Sequence, residues 1–205
     1  MGLCMLAAFA IWTGLVCFVD VQTIGPGESA VGFATLNSLV HALLGVHMSL
    51  YTVTDWLGLV PVCFVLGFAA LGLIQWIRRK NLFKVDKSLL FLGGFYLVVI
   101  AAYAFFEICI VNYRPVWIAG ALEASYPSFT TMLVMCVMPT ARMQINSRIK
   151  NGAIKKCVGF FINAFIAFMV LGRLISGVHW FTDIIGGTLW SVGLVLVYYS
   201  IYDNI

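Results

Sequence analysis

The sequence predicts an all-α protein, a six-span transmembrane helical bundle. Its 205 residues are 62% hydrophobic and only 10% charged, with a mean hydropathy of +1.03, which is far from the composition of a soluble domain. The apolar residues also fall into runs of membrane-spanning length, separated by short polar segments. We therefore expect an integral membrane protein with a single membrane-embedded domain over residues 1–205.

Six apolar runs are the predicted spans, and they cover residues 1–19, 57–77, 89–110, 127–145, 157–176 and 184–202. We interpret the first as a retained span rather than a removed signal peptide, because no basic segment precedes its apolar part. Polar side chains interrupt residues 33–56, which predicts an interfacial or partly buried helical stretch rather than a clean span. Pro139 inside the fourth run predicts an irregular helix.

The basic residues predict the orientation of the bundle. Ten of the twelve lie in or beside the loops after the second and fourth spans. These loops share one side of a six-span bundle, and their excess of Lys and Arg predicts that this side is cytoplasmic. The same distribution explains the net charge of +4, so we do not expect nucleic acid to bind. The other two basic residues, Arg114 and Arg173, fall at the opposite face.

Residues 172–183 place an arginine, a histidine and an aspartate between the last two spans. Charge at membrane depth is costly, so Arg173, His179 and Asp183 predict a functional site. His179 and Asp183 are four residues apart, and they share a face if the last helix begins near Trp180. Such a pair fixes the tautomer of the imidazole, as a nucleophilic or basic histidine requires. The guanidinium fork suits a phosphate or a carboxylate.

Three short motifs resemble the signatures of the type 2 phosphatidic acid phosphatase (PAP2) superfamily. The segment from Gly172 to Asp183 is similar to the third signature, SR-x5-H-x3-D, with glycine in place of serine. Arg114-Pro115 resembles the end of the first signature, K-x6-RP, and residues 126–131 resemble the second, PSGH. The three motifs occur in the family's order. The resemblance therefore implies a bundle of the PAP2 or acid phosphatase-haloperoxidase type.

The resemblance also implies an activity: a metal-independent phosphatase without a cofactor, acting on a phosphorylated lipid of the bilayer at the extracytoplasmic face. His179 would attack phosphorus and form a phosphohistidine, and Asp183 would orient it. Arg114 and Arg173 would bind the phosphoryl oxygens, and Ser128 would add a hydroxyl or backbone donor. Fixed donors of this kind stabilise the charge that spreads over the phosphoryl oxygens in the transition state.

Two departures from the family pattern bear on catalysis. Glu107 stands seven residues before Arg114, where the family has lysine, and Thr130 stands where the family has the histidine that protonates the leaving group. General acid catalysis is worth about 10²–10⁴ in rate. A phosphate leaving group, with a second pKa near ~6, departs without that proton, so we expect a polyprenyl diphosphate rather than a phosphatidic acid as substrate. Alternatively, His41 or His47 supplies the proton from the interfacial stretch.

Several alternatives stay open at this stage. Glu107 is protonated beside the phosphate, or pairs with Arg114, or faces a cationic headgroup. The function is alternatively that of a phosphotransferase of the same architecture, which passes a phosphoryl group or phospho-headgroup to another alcohol. A further alternative is a non-catalytic protein that binds lipid phosphates. The sequence makes no prediction about the oligomeric state.

Overall fold

The computed structural model describes residues 1–204, and these contain eight α-helices and two 3₁₀ helices of three residues each. The α-helices are α1 (Gly2–Phe18), α2 (Ala34–Leu44), α3 (Met48–Leu57), α4 (Leu59–Arg79), α5 (Lys87–Ile108), α6 (Phe129–Arg148), α7 (Gly152–Ile175) and α8 (Phe181–Tyr202). Within residues 1–204 the only β-type pairings are isolated bridges in the loops. The predicted all-α class is therefore confirmed.

Four helical segments are long and apolar enough to cross a membrane: the pair of α3 and α4, then α5, α7 and α8. The other two predicted spans correspond to α1 and α6. With 17 residues, α1 reaches about 26 Å at the helical rise per residue, slightly less than the ~30 Å hydrocarbon core of a bilayer. The arrangement agrees with an integral membrane protein of about six spans.

Helix α6 is more polar than a lipid-facing span because it lies inside the bundle, in contact with α4, α5, α7 and α8. The Thr140 hydroxyl lies 3.2 Å from the Tyr96 hydroxyl, and Gln144 donates a hydrogen bond of 3.1 Å to Tyr198. Neighbouring helices thus satisfy polar groups that lipid could not. The helix continues through Pro139, so the irregularity predicted there does not interrupt it.

Helices α1 and α8 run antiparallel in close contact. A Cβ atom on Gly193 of α8 would lie 2.9 Å from the Leu6 side chain of α1, so the small residue permits the approach. At the other end of the pair, the indole N–H of Trp12 donates to the carbonyl of Thr182 over 3.2 Å. This pairing holds the beginning of α8 against the bundle.

Helix α7 begins earlier than the sequence analysis indicated, at Gly152 instead of Cys157. The Asn151 side chain accepts hydrogen bonds from the first backbone N–H groups of the helix and caps it. Two lysines that were expected in the loop therefore lie in the first turns of α7. The capping asparagine determines where this helix begins, and the first residue of the apolar run does not.

The two basic loops lie at the same end of the bundle. Gln144, near the end of α6, donates a hydrogen bond of 3.1 Å to the carbonyl of Ser88 at the beginning of α5. Beside them, Arg79 at the end of α4 forms an ion pair of 3.0 Å with Asp86. At the opposite end, the last turns of α5 and α7 meet the first turns of α6 and α8, where the sequence predicts the functional site.

Candidate active site

A cavity of about 510 Å³ lies at this opposite end of the bundle. Residues from α3, α5, α6 and α7 line it, together with the loop before α6 and the turn before α8. Its walls include six acidic, basic or histidine side chains, and they are Asp55, Glu107, Arg114, Glu123, Arg173 and His179. Concave sites with a few converging polar groups are where ligands usually bind.

His179 lies in the turn between α7 and α8 and is almost completely buried. Gly177 makes this turn possible, because its φ of +68° is in the left-handed region and a Cβ atom there would collide with the carbonyl of Gly45. The backbone N–H of Trp180 then donates to Asp183 Oδ2 over 2.8 Å, which caps α8. The turn thereby holds His179 next to Asp183.

Ser125 bridges the histidine and the aspartate. The direct distance between His179 Nδ1 and Asp183 Oδ2 is 3.7 Å, too long for a hydrogen bond. The Ser125 hydroxyl lies 3.1 Å from Nδ1 and donates a hydrogen bond to Asp183 Oδ2. A hydroxyl has one proton to donate, so its oxygen accepts the Nδ1–H of His179. The imidazole Nε2 is left with its lone pair.

Other donors fix the orientation of Asp183, which is fully buried. Its Oδ1 lies 3.5 Å from the side-chain nitrogen of Asn112, and its Oδ2 accepts the bonds from Ser125 and Trp180. The backbone N–H of Ser128 donates to the Asp183 carbonyl over 3.1 Å. The beginnings of α6 and α8 are therefore joined directly beside the histidine.

Burial lowers the pKa of His179 to about 4. The negative charge of the neighbouring Asp183 raises this pKa in part, whereas the positive charges of Arg114 and Arg173 lower it. The imidazole is consequently neutral at neutral pH. A neutral ring with a free nitrogen is the form in which histidine acts as a nucleophile.

Arg173 extends from α7 towards α3 and α6, and only 2% of its side chain is exposed. Its Nη2 donates to Asp55 Oδ1 over 2.8 Å and to Thr130 Oγ1 over 2.7 Å. Its Cζ lies 4.9 Å from the centre of the Tyr51 ring. Among residues 1–204, no acceptor is bonded to Arg173 Nε or Nη1. Unpaired buried donors are costly, so this arrangement favours an anion in the cavity.

Arg114, from the loop between α5 and α6, lies on the other side of the same tyrosine. Its Cζ is 5.9 Å from the centre of the Tyr51 ring. Its Nε is 3.0 Å from Glu123 Oε2, an ion pair whose atoms are not aligned for a hydrogen bond. Within the described part of the chain its Nη1 also lacks an acceptor. Two guanidiniums with free N–H groups match the geometry of a phosphate.

The histidines of the predicted interfacial stretch lie outside the cavity. The His41 ring, in α2, packs 5.5 Å from the Trp180 ring. His47 lies just before α3, where its Nε2 is 2.9 Å from the carbonyl oxygen of Leu44. Both side chains thus contact structural partners instead of bordering the space beside His179.

Of two further predicted site residues, Glu107 lines the cavity and Ser128 does not. Ser128 is fully buried at the beginning of α6, where its hydroxyl accepts a hydrogen bond of 3.1 Å from Thr131, and it does not line the cavity. Glu107, near the end of α5, does line it. The carboxylate paired with Arg114 is that of Glu123.

The sequence analysis missed Ser125 and two residues of α3. Tyr51 and Asp55 are four residues apart and so share a helix face. The sequence analysis considered only the histidines of this stretch and did not use that spacing. This face reaches α7 because Gly172 leaves room for it: a Cβ atom at Gly172 would lie 2.8 Å from Thr54 Cγ2. Ser125 stands two residues before the proline of the second motif, but nothing in its sequence context indicates contact with His179.

The fold and the site together define a helical membrane protein with an arginine-lined cavity beside a neutral histidine. The PAP2 superfamily model matches residues 98–205, more than half of the chain. The chain belongs to the PAP2 superfamily, as its three motifs predicted.

The fold is similar to the crystal structure of the transmembrane PAP2-type phosphatidylglycerolphosphate phosphatase from Bacillus subtilis. The TM-score is 0.67 with 17% sequence identity, and the alignment covers 100% of this chain and 96% of that chain. At this identity the similarity establishes the fold, and the predicted fold class is confirmed. No curated protein matches the sequence.

Proposed function

We propose that the protein is a lipid phosphatase that hydrolyses a phosphorylated lipid through a phosphohistidine, with its site at the extracytoplasmic face. One observation supports this most strongly: the neutral His179 borders the same cavity as N–H groups of Arg114 and Arg173 that have no acceptor within residues 1–204. Membership in the PAP2 superfamily supports the general activity.

The first step is the attack of His179 Nε2 on phosphorus. A P–N bond forms, and the bond between phosphorus and the leaving-group oxygen breaks. The imidazole gains positive charge, which Asp183 stabilises through the Ser125 hydroxyl. Arg114 and Arg173 donate to the phosphoryl oxygens, where they stabilise the charge of the transition state.

In the second step water attacks the phosphohistidine. The P–N bond breaks, phosphate leaves, and His179 returns to its neutral form while a base takes the proton of the water. An alcohol that enters in place of water gives a phosphotransferase instead, so the acceptor separates these two functions.

The preferred substrate class is a lipid diphosphate, such as a polyprenyl diphosphate. Thr130 cannot protonate a leaving alkoxide at neutral pH as an imidazole can, whereas a phosphate departs as a stable anion. The cavity also has apolar walls beside its charged groups, and these walls suit the adjoining lipid chain. They are formed by Tyr103, Phe106, Ile110, Leu122, Phe129 and Met132.

Phosphate release by the purified protein tests the proposal. We expect turnover of a polyprenyl diphosphate to exceed that of phosphatidic acid, and His179→Ala to reduce both to background. Mass spectrometry after an alkaline quench should detect a phosphorylated His179 in the wild type.

Three other results would change the conclusion. Faster hydrolysis of phosphatidic acid would contradict the substrate preference. Equal, background-level turnover by the wild type and His179→Ala would leave a non-catalytic lipid-phosphate binder. Transfer to an added alcohol in preference to water would identify a phosphotransferase.

A further inference from the structure

Building on the proposed phosphatase function, we infer that Asp55 is the proton donor for the leaving group. It takes the role that the family motif gives to the histidine replaced here by Thr130. The inference rests on where α3 places this carboxylate.

Asp55 and Thr130 share a single hydrogen-bond donor. Nη2 of Arg173 lies 2.8 Å from Asp55 Oδ1 and 2.7 Å from Thr130 Oγ1. The carboxylate oxygen is therefore within a few ångströms of the side chain at the motif position. An acidic group thus stands close to where the motif would place imidazole.

The other two carboxylates of the cavity are placed differently. Glu123 is paired with Arg114. Glu107 belongs to the end of α5, and within residues 1–204 neither it nor Glu123 forms a hydrogen bond or ion pair with Arg173 or Thr130. Asp55 is consequently the carboxylate that the contacts associate with the altered motif.

Asp55 also has the exposure that a proton donor requires. Its side chain is 58% exposed and lines the cavity, whereas the Arg173 side chain that it contacts is 2% exposed. The carboxyl is therefore accessible from the cavity. A purely structural partner for a buried arginine has no need of this opening.

The position of Asp55 depends on another departure from the family motifs. Gly172 replaces the motif serine, and a Cβ atom there would lie 2.8 Å from Thr54 Cγ2. The backbone N–H of His47 also donates to the carbonyl of Ser176 over 3.0 Å, which joins the beginning of α3 to the end of α7. The glycine and this bond hold α3 close enough for Asp55 to contact Arg173.

The proton balance closes over one catalytic cycle. The protonated carboxyl donates its proton to the leaving oxygen as the P–O bond breaks, and becomes a carboxylate. That carboxylate then takes a proton from the water that attacks the phosphohistidine, and the acid form returns. A phosphate leaving group needs no proton and still departs faster.

Two substrates with different leaving groups test the role of Asp55. Dodecyl phosphate releases an alkoxide that needs a proton, whereas 4-nitrophenyl phosphate releases a delocalised anion that does not. We expect Asp55→Asn to lower the single-turnover rate of dodecanol release by about 10²–10⁴ and the single-turnover rate of 4-nitrophenol release by much less, because only the first leaving group needs the proton. Thr130→His added to Asp55→Asn should restore part of the loss.

The controls separate this role from a structural one. Asp86→Asn removes the aspartate of another Arg–Asp pair, at the far end of the bundle, and should change neither rate. An equal loss on both substrates in Asp55→Asn would mean that Asp55 only positions Arg173, and no loss would equally overturn the inference. If His179→Ala still hydrolyses 4-nitrophenyl phosphate, the phosphatase proposal itself fails.

A measurement on the wild type decides the question even if Asp55→Asn does not fold. The rates are compared for a series of phosphate monoesters with increasingly basic leaving groups. General acid catalysis makes the rate only weakly dependent on leaving-group basicity. A steep fall across the series in the wild type would overturn the inference.

Discussion

Ser125 determines how the candidate nucleophile is held. Because its hydroxyl lies between His179 Nδ1 and Asp183 Oδ2, the imidazole is oriented by a residue from a different segment of the chain. That segment approaches α8 where Gly186 lacks a side chain, since a Cβ there would lie 2.6 Å from the Tyr126 ring. The geometry of the histidine thus depends on the packing of the loop against α8.

The pH dependence of turnover should report the lowered pKa of His179. Burial lowers this pKa to about 4, from ~6.5 for an exposed histidine, and the neutral ring is the reactive form. The histidine therefore stays active as the pH falls from 8 to about 5, and protonation removes it near pH 4. Measuring kcat/KM for 4-nitrophenyl phosphate across this range tests the prediction, because kcat/KM reports the ionisation of the free enzyme. A loss of kcat/KM centred near pH 6.5 would contradict it.

At the scale of elements, α3 changes what the site contains. The sequence analysis treated residues 33–56 as an interfacial stretch whose histidines were the candidates. The structure instead turns Tyr51 and Asp55 of α3 towards the two arginines. The helix reaches them by packing its fully buried Thr54 against Gly172 of α7.

A substitution at this contact should displace α3. Gly172→Ala places a Cβ atom 2.8 Å from Thr54 Cγ2, and overpacking of this kind costs about 1–3 kcal/mol. The gain in helix propensity from glycine to alanine is about 1 kcal/mol, so we expect a lower unfolding temperature in detergent and a lower kcat.

Thr54→Ser should rescue Gly172→Ala because it removes the colliding methyl group and keeps the hydroxyl that bonds to α3 itself. Gly93→Ala is the matched control: nothing lies within 4 Å of the added Cβ atom, so the unfolding temperature should not fall. If Thr54→Ser gives no recovery, the two residues do not determine the position of α3.

The local parts of the site could be predicted from the sequence. Arg173, His179 and Asp183 belong to one short segment, and their spacing is a signal by itself. The contact between Arg173 and Asp55 joins residues 118 positions apart, and it depends on how α3 packs. Ser125 is likewise 54 positions from His179. The spacing of Tyr51 and Asp55 indicates that they share a helix face, but no local pattern indicates which residues that face or Ser125 contacts.

The fold could be predicted further than the site because span length and composition are local properties. The exception, α6, shows the limit of that reasoning. Its hydropathy is low because it contains polar residues such as Thr140 and Gln144. These residues bond to other helices, and composition alone does not indicate which polar residues have such partners. The end of a span is also set by capping, as Asn151 does for α7.

For the whole molecule, the distribution of charge separates the two ends of the bundle. The basic loops lie at one end, and the cavity with its paired charges lies at the other. Excess Lys and Arg in short loops favours the cytoplasmic side, so we predict that the cavity opens to the outside of the membrane that contains the protein. Lys84 and Ala121 are exposed loop residues, one at each end.

Labelling of single cysteines tests this orientation. In a chain whose five exposed cysteines (Cys4, Cys17, Cys63, Cys109 and Cys157) are replaced by serine, a membrane-impermeant maleimide added to intact cells should label Ala121→Cys and not Lys84→Cys. Inverted vesicles should give the opposite pattern, and permeabilised cells should label both. Labelling of Lys84→Cys alone in intact cells would place the cavity on the cytoplasmic side. The enzyme would then act on lipid phosphates of the inner leaflet, and the basic loops would not determine its orientation.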